Sequence, residues 1–336
     1  MTLKNQFDIP LYRLNSNYSS KVYNCGKWVD GIKIKELEEK IKDFLDIKYI
    51  VLTNSGTSAL LAAYWVLKDE YKTLNVDPYT FPATYQPAKL LSYEINFVRT
   101  ILKNNVNLPK NELNVITHLF GQPNQLLAKT RRIPFIEDAC QSFGAKYKGK
   151  NVGTFGKLGC LSFYPTKPLH TNGHGGAVVT NNKDHFEKLK IFIESGRLNG
   201  KMTERIALNL RMDEIKAEFL LYELKNYEKR IACQRQIAQG FKNLITGEQP
   251  FLKEDKDSYH VYSVFNILVE NRKEFRKYMG KKGIETMIYY NEDILPVGEK
   301  PKYLDLTASI VAIPCRWNLT NQEISKIKNA LKGWFV

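Results

Sequence analysis

The sequence predicts an α/β protein: a mostly parallel central sheet covered by helices, followed by a smaller α+β C-terminal domain. Three observations carry this. Short apolar runs of strand length alternate with helical patterns through the first two-thirds of the chain, the signature of βαβ units. Two of those runs, Ile133 to Ile136 and Cys160 to Phe163, end abruptly in polar residues, as strands do where they open onto the crevice beyond their carboxyl ends. From Tyr259 the pattern changes to the alternation YHVYSVFNILV, which reads as a half-buried strand of a different layer.

Taken in order, residues 1–30 are polar and aromatic without clear period, and read as an extended arm that must lie on something. After Gly31, IKIKELEEKIKDFL puts Ile34, Leu37, Ile41, Phe44 and Leu45 at helical spacing, giving an amphipathic helix. Lys48 to Leu52 is a β-rich run; the small polar turn Thr53-Asn54-Ser55-Gly56-Thr57-Ser58 follows, then the apolar helical segment ALLAAYWVL. Leu74 to Val76 reads as a strand, Asp77 to Thr84 as a turn-rich segment, and a helix runs to about Leu91. Asn96 to Val98, Val115 to Thr117 and Ile133 to Ile136 are further strands. Ala177 to Thr180 is another, with a helix over Asp184 to Phe192. Met212 to about Leu244 is the longest helical pattern, with Ile215, Phe219, Leu220, Leu224, Tyr227 and Ile231 apolar, and reads as the connection between domains. Beyond it, Arg272 to Lys281 is helical, Gly283 to Tyr290 strand-like, and Gln322 to Leu331 a closing helix. The expected division is a large domain over residues 1–230, with 1–30 as its arm, and a small domain over 231–336.

The totals of this 336-residue chain fit that picture, with 43% hydrophobic and 25% charged residues and hence a proper core. No apolar run approaches bilayer length and the first residues show no signal pattern, so the expected location is the cytoplasm. The five cysteines, Cys25, Cys140, Cys160, Cys233 and Cys315, are scattered and never form a CxxC pair, which argues for free thiols and against zinc. The net charge of +15 would suit nucleic acid, an acidic membrane surface or phosphorylated small molecules. Its lysines are spread along helices among acids, with only Lys129 to Arg132 and Lys281 to Lys282 compact. Without a basic motif interleaved with aromatics, a solvated lysine surface is the better reading.

Strand, small polar turn and helix around Gly56 make a ready anion site, with free amides at the helix start and Thr57 or Ser58 adding donors. Serine and threonine also cap helices everywhere, so the turn alone decides nothing. Asp138 alone reads equally as a helix cap, and Lys167 alone as a surface lysine. It is the ordered set that points to chemistry: a phosphate turn, an aspartate after one strand, then Ser162, Tyr164 and Lys167 around the next. A lysine that forms an imine with an aldehyde needs an accessible neutral amine. Pyridoxal 5'-phosphate makes that imine useful, because its protonated ring withdraws electrons, and an adjacent carboxylate keeps the ring protonated.

These residues carry a resemblance. Asn54-Ser55-Gly56-Thr57-Ser58-Ala59-Leu60, His118-Leu119-Phe120-Gly121-Gln122-Pro123, Glu137 to Ala145 (EDACQSFGA), Ser162-Phe163-Tyr164-Pro165-Thr166-Lys167 and Gly175 to Thr180 (GGAVVT) resemble successive motifs of the DegT/DnrJ/EryC1/StrS aminotransferases. These are pyridoxal-phosphate-dependent sugar aminotransferases of fold type I. The similarity runs from about Trp28 to the end and is looser in the last third. It implies that Lys167 is the aldimine lysine and proton-moving base, that Asp138 pairs with the pyridine nitrogen, and that Gln141 lies by the ring. Gly56, Thr57 and Ser162 would hold the phosphate and Phe81 would stack on the ring. Asn209 would reach the phosphate in the neighbouring subunit, which implies a homodimer with shared active sites; the charge pattern and the lack of a bilayer-length run lead to no expected nucleic-acid or membrane partner.

The departures lie elsewhere. Lys72 to Val76 replaces the family's Gly-Asp-Glu-Val run, suggesting a trimmed large domain. Tyr289-Tyr290 stands where a His-Tyr pair is common, and Ala217-Glu218 where Ala-Ala is, which bears on the substrate pocket and dimer contacts. His170 and His174 are four apart, but Pro168 and the surrounding glycines deny them a helical frame for a metal. His174 lies beside the cofactor where the family often has an acid, and His118 reads as a packed histidine. The leading function is transfer of an amino group from an amino acid, by resemblance glutamate, to a nucleotide-linked keto sugar. Sugar dehydration or deoxygenation goes with a histidine in place of the lysine, and Lys167 is intact. A regulatory or nucleic-acid-binding protein on the same fold is the third reading.

Overall fold

The computed structural model describes residues 7–12, 27–101, 106–198, 201–203, 206–247, 249 and 253–335. In chain order its elements are α1 (Ile32–Leu45), β1 (Tyr49–Thr53), α2 (Gly56–Leu67), β2 (Thr73–Val76), α3 (Gln86–Leu90), β3 (Glu94–Phe97), β4 (Leu113–Thr117), β5 (Phe135–Asp138), β6 (Lys146–Tyr147) and β7 (Lys150–Asn151). There follow β8 (Leu158–Ser162), β9 (Gly176–Thr180), α4 (Lys183–Ile193), β10 (Arg197–Leu198), β11 (Lys201–Met202), α5 (Glu214–Leu224) and α6 (Tyr227–Lys242). The last are β12 (Ser258–Tyr259), β13 (Phe265–Leu268), α7 (Arg272–Lys281), α8 (Leu304–Ser309), β14 (Ile310–Ile313) and α9 (Asn321–Phe335).

Seven strands form the main sheet in the order β1-β9-β8-β5-β4-β2-β3. Pairs from β8 across to β3 are parallel, while β9 runs antiparallel to both β8 and β1. Six strands therefore point one way and β9 the other, which is the mostly parallel sheet expected. Strands β4, β5, β8 and β9 are buried along their whole length, as a sheet covered on both faces requires.

Each helix is explained by its stripe. In α1, Leu37, Ile41 and Leu45 are fully buried, each stabilising by about 1.5–3 kcal/mol, while the lysines and glutamates between them stay outside. Helix α2 is apolar nearly all round and packs against β8 and β9 with Ala59, Ala62, Ala63 and Tyr64 at zero exposure; such a helix belongs inside. A separate core gathers Ile237, Phe241, Phe265, Ile267, Phe275 and Ile327 around the antiparallel pair β13–β14.

Three details differ from the sequence reading. The Met212 to Leu244 pattern is two helices, broken at Asn226 (φ −120°, ψ 19°). Ala217 and Leu220 of α5, and Tyr227 and Ile231 in the first turns of α6, serve the main core, whereas Ile237, Ala238 and Phe241 further along α6 serve the second. Gly283 to Tyr290 is not a strand. Ile284 bridges to Ile9 and Met287 to Ala312, so successive residues answer to different partners and no ladder extends. The strand ends are shifted from the apolar runs: β5 extends past Ile136 so that Asp138 is its last residue rather than following it, while β8 ends at Ser162, one residue short of the run Cys160 to Phe163. Much of the expected arm, 1–6 and 13–26, lies outside the described residues. Its Ile9 is packed in the second core and Val29 bridges to Asp213.

Candidate active site

The turn after β1 is a capped helix start. Ser55 is extended (φ −164°, ψ 162°) and its Oγ accepts from the Ser58 amide at 3.1 Å. The Ser58 hydroxyl donates to Asn54 Oδ1 at 2.6 Å, so the 2.9 Å contact between the two serine hydroxyls has Ser55 as donor. Ser58 is thereby committed to the cap. The Gly56 and Thr57 amides remain, as a first helical turn leaves them, at the positive end of α2. A Cβ on Gly56 would lie 2.7 Å from Ser162 Cβ and 3.2 Å from Cys140 Sγ, so only glycine lets this helix start close on the ends of β5 and β8. Gly176 does the same from the other side: a Cβ there would lie 2.4 Å from the Ser55 carbonyl oxygen and 2.7 Å from the Gly56 nitrogen.

Asp138 is buried at the end of β5. Its Oδ2 accepts from Thr84 Oγ1 at 2.7 Å and its Oδ1 from the Cys140 amide at 3.1 Å; Thr84 in turn shares a 2.9 Å hydrogen bond with Thr80. The preceding Glu137 points to the opposite face, as strand alternation dictates. There it accepts from the amides of Gly153 (2.7 Å), Phe155 (2.6 Å) and Gly156 (2.8 Å). His118 completes that cluster. Its Nδ1 accepts from the Asn124 amide at 3.0 Å, which leaves the proton on Nε2 to donate to Glu137 Oε1 at 2.9 Å. Two adjacent carboxylates thus divide their work: Glu137 secures a loop, and Asp138 faces the crevice.

Lys167 sits three residues past the exposed Tyr164, in a turn closed by its own amide donating to the Tyr164 carbonyl at 2.8 Å. Burial lowers the pKa of its amine, with Cys140 and Asp138 pulling the other way, so the neutral, nucleophilic form is favoured over that of a solvated lysine. The Cys140 thiol beside it is held protonated, chiefly by burial and then by Asp138.

The remaining expected residues are placed as follows. Ser162 Oγ stands 3.4 Å from the Tyr164 amide and packs on Gly56. Phe81 is exposed, its ring 6.4 Å from that of Tyr290. Gln141 is engaged at both ends: Oε1 accepts from the Phe120 amide at 3.0 Å and Nε2 donates to the Tyr290 hydroxyl at 2.9 Å. Asn209 is exposed, accepting from Arg211 Nε at 3.1 Å, and its neighbour Leu210 accepts from the Asn54 amide of the phosphate turn at 2.7 Å. His170 packs by Phe219 and His174 by Tyr164, and among the described residues no His, Cys, Asp or Glu cluster suits a metal.

Sequence reasoning did not single out Thr84 or Gly176. Thr84 lies in the turn-rich segment, but nothing local says that its hydroxyl reaches a carboxylate. Gly176 was legible only as one of a glycine pair. Thr84 is identified by its hydrogen bond to Asp138 and Gly176 by its close approach to Ser55 and Gly56.

Residues 13–332 match the model of the DegT/DnrJ/EryC1/StrS aminotransferase family. A UDP-2-acetamido-2-deoxy-3-oxo-D-glucuronate aminotransferase of Pseudomonas aeruginosa is 28% identical over 86% of this chain and 84% of its own. GDP-perosamine synthase of Escherichia coli O157:H7 is 29% identical over 97% and 98%. Among solved structures, a DegT DnrJ EryC1 StrS aminotransferase from Brucella abortus superposes with a TM-score of 0.84 at 25% identity, covering 94% of this chain and 93% of that one. The chain therefore belongs to the DegT/DnrJ/EryC1/StrS family, and is an aminotransferase whose cofactor is pyridoxal 5'-phosphate.

Proposed function

We propose that the enzyme moves an amino group from an amino acid, glutamate first, to a keto sugar carried on a nucleotide, with Lys167 as the proton-moving group. One observation carries the assignment of roles: the free-amide cap, the Asp138 carboxylate and the desolvated Lys167 amine adjoin one another through Cys140, at the carboxyl edge of the sheet.

The site fits the cofactor. Gly56, by having no Cβ, lets the helix start close on Ser162, which brings the amides of Gly56 and Thr57 and the Ser162 hydroxyl together, where they would take a phosphate. The Asp138 carboxylate, fixed by Thr84 and the Cys140 amide, holds a proton on the pyridine nitrogen. Phe81 covers the ring, and Gln141 keeps Phe120 and Tyr290 against it. When bound, pyridoxal phosphate supplies an electron sink for negative charge at the amino-bearing carbon. Lys167 Nζ would be the group that holds and moves the proton of that carbon, a role that requires an amine neutral for part of the cycle.

The names of the relatives support a nucleotide-linked acceptor, and the net charge of +15 suits a diphosphate. A homodimer with Asn209 reaching the partner's site is supported by exposed apolar side chains around that residue. Trp28, Ile32, Ile206 and Leu208 are all exposed, and the segments carrying them are tied by the Glu214 amide to the Trp28 carbonyl at 2.9 Å and by the Arg211–Asp30 ion pair. Contiguous apolar surface of this kind marks an interface. The separate core around β13–β14 supports a smaller domain over 231–336 beside a cofactor domain over 1–230, with Ile9 joining the second core and Ile231 and Val261 the first. Among the described residues no helix is long and apolar enough to cross a membrane, and the free thiols Cys140, Cys160, Cys233 and Cys315 fit a cytoplasmic location.

The test is a visible spectrum of the purified protein with pyridoxal phosphate. A cofactor band that shifts on adding glutamate, and is lost in Lys167→Ala, is expected. Absence of any such band in the wild type after cofactor is supplied refutes the proposal.

A further inference from the structure

Residues 7–12 are fastened across the second core by several independent contacts. The Ile9 amide donates to the Gly283 carbonyl at 3.0 Å, and the Glu285 amide to the Ile9 carbonyl at 3.0 Å. Arg316 donates to the Pro10 carbonyl at 2.6 Å, and the Leu11 amide to Glu285 Oε2 at 2.6 Å. Tyr12, the last described residue of this stretch, lines the same crevice as Thr166 and Lys167.

There the Tyr12 hydroxyl meets that of Tyr289 at 2.7 Å. Tyr289 is placed by the chain around it. Its carbonyl accepts from Tyr79 at 3.0 Å and its neighbour's amide donates to the same hydroxyl at 3.0 Å. That neighbour, Tyr290, carries the hydroxyl held by Gln141. The Tyr289 ring stands 6.5 Å from Phe120. The tyrosine pair is thus joined on one side to the residues beside Asp138 and on the other to the crevice of Lys167.

Two hydroxyls joined to each other satisfy one hydrogen between them. Among the described residues neither has another partner, so the pair keeps one O–H hydrogen and several lone pairs for a bound molecule. Burial raises the pKa of both phenols, so the pair stays neutral at physiological pH. Neutral donors and acceptors suit hydroxyl and carbonyl groups of a sugar, whereas a carboxylate or phosphate calls for a cation or a helix start.

We propose that Tyr12 and Tyr289 form the specificity-determining pair for the acceptor: their hydroxyls bind the keto sugar ring, and the amino-acid donor does not use them. This rests on the aminotransferase reading of the site, and the two can fail separately. The two half-reactions separate by spectrum, since glutamate alone shifts the cofactor band and the acceptor restores it.

The experiment compares wild type, Tyr12→Phe and Tyr289→Phe as holoenzymes, using the fastest acceptor from a panel of UDP-, GDP- and dTDP-linked keto sugars. The glutamate half-reaction is expected to stay within twofold in both variants. The acceptor half-reaction should lose about two- to twelvefold in kcat/KM, the range for a neutral hydrogen bond. The double variant should lose no more than the product of the two. Unchanged acceptor kinetics in both variants, or equal losses in both half-reactions, overturns the proposal; a wild type in which glutamate shifts no band overturns the aminotransferase roles instead. The amplitude of the cofactor band in each variant verifies that the site is intact.

Discussion

Gly176→Ala is the sharpest test of how the site is assembled. A Cβ at residue 176 would stand 2.4 Å from the Ser55 carbonyl oxygen, where ordinary contact begins at 3.4 Å. The shortfall of 1.0 Å falls on backbone, so no side chain can rotate away. Either β9 or the cap at Ser55 must move by about that distance, and overpacking of this kind costs about 1–3 kcal/mol. Because the moving atoms border the Gly56 amide, the phosphate cradle takes the displacement. A misplacement of about 1 Å at a reacting group lowers turnover by about a hundredfold, and cofactor affinity should fall at least fivefold. The assays are a cofactor titration followed by the visible band, single-turnover reaction with glutamate, and thermal melting. A variant with wild-type cofactor affinity and turnover would show that the helix start tolerates a shift, and that the close approach is not what builds the site.

Three further outcomes follow from the same coordinates. Asp138→Asn should retain cofactor through the phosphate cradle and lose at least a hundredfold in turnover; unchanged turnover would show that the ring nitrogen does not depend on that carboxylate. Glu38 has its pKa raised to about 7, chiefly by burial, against the lowering effects of Lys190, the Leu52 amide and Lys42. The folded state therefore holds a proton that the unfolded chain releases from pH 4.5 upward, and stability is lost as pH rises from there to about 7. Glu38→Gln should remove that loss, gaining on the order of 1–3 kcal/mol at pH 8 and nothing at pH 4; urea melts at the two pH values measure it. Gly280 lies inside α7, and a Cβ there would meet nothing within 4 Å. Gly280→Ala should therefore raise stability by about 0.5–1 kcal/mol through helix propensity, with cofactor binding unchanged; a fall in melting temperature would contradict it.

The residues legible in the sequence are those whose chemistry admits few substitutes. An imine needs the Lys167 amine, a ring proton needs the Asp138 carboxylate, and the phosphate turn needs Gly56; each stands in a short motif at the end of an apolar run. Thr84 was not legible, because its partner Asp138 is 54 residues away and a threonine in a turn has many local uses. The division of Met212 to Leu244 into two helices escaped notice for a related reason. The periodicity continues through Lys225 and Asn226, and Tyr227 and Ile231 beyond the break still serve the main core before Ile237 and Phe241 reach the second, so the apolar stripe alone does not mark it. The strand-like Gly283 to Tyr290 failed likewise, since alternation is necessary for a strand but a ladder needs one continuous neighbour.

Register explains why separated motifs meet at all. In the sheet, Thr53 is opposite Gly176, Gly176 opposite Ser162, Cys160 opposite Asp138, and Asp138 opposite Thr117. Thr53, Gly176, Ser162, Asp138 and Thr117 are terminal residues of β1, β9, β8, β5 and β4, so the cap, the serine, the aspartate and the loop bearing Lys167 come off one edge in consecutive strands. A slip of one residue between β5 and β8 would turn Asp138 to the face now held by Glu137, leaving the crevice without its carboxylate and putting Glu137 out of reach of its three amides. The loop secured by Glu137 and His118 thus guards the register on which Asp138 depends: the buried cluster on one face of β5 fixes which carboxylate the other face presents.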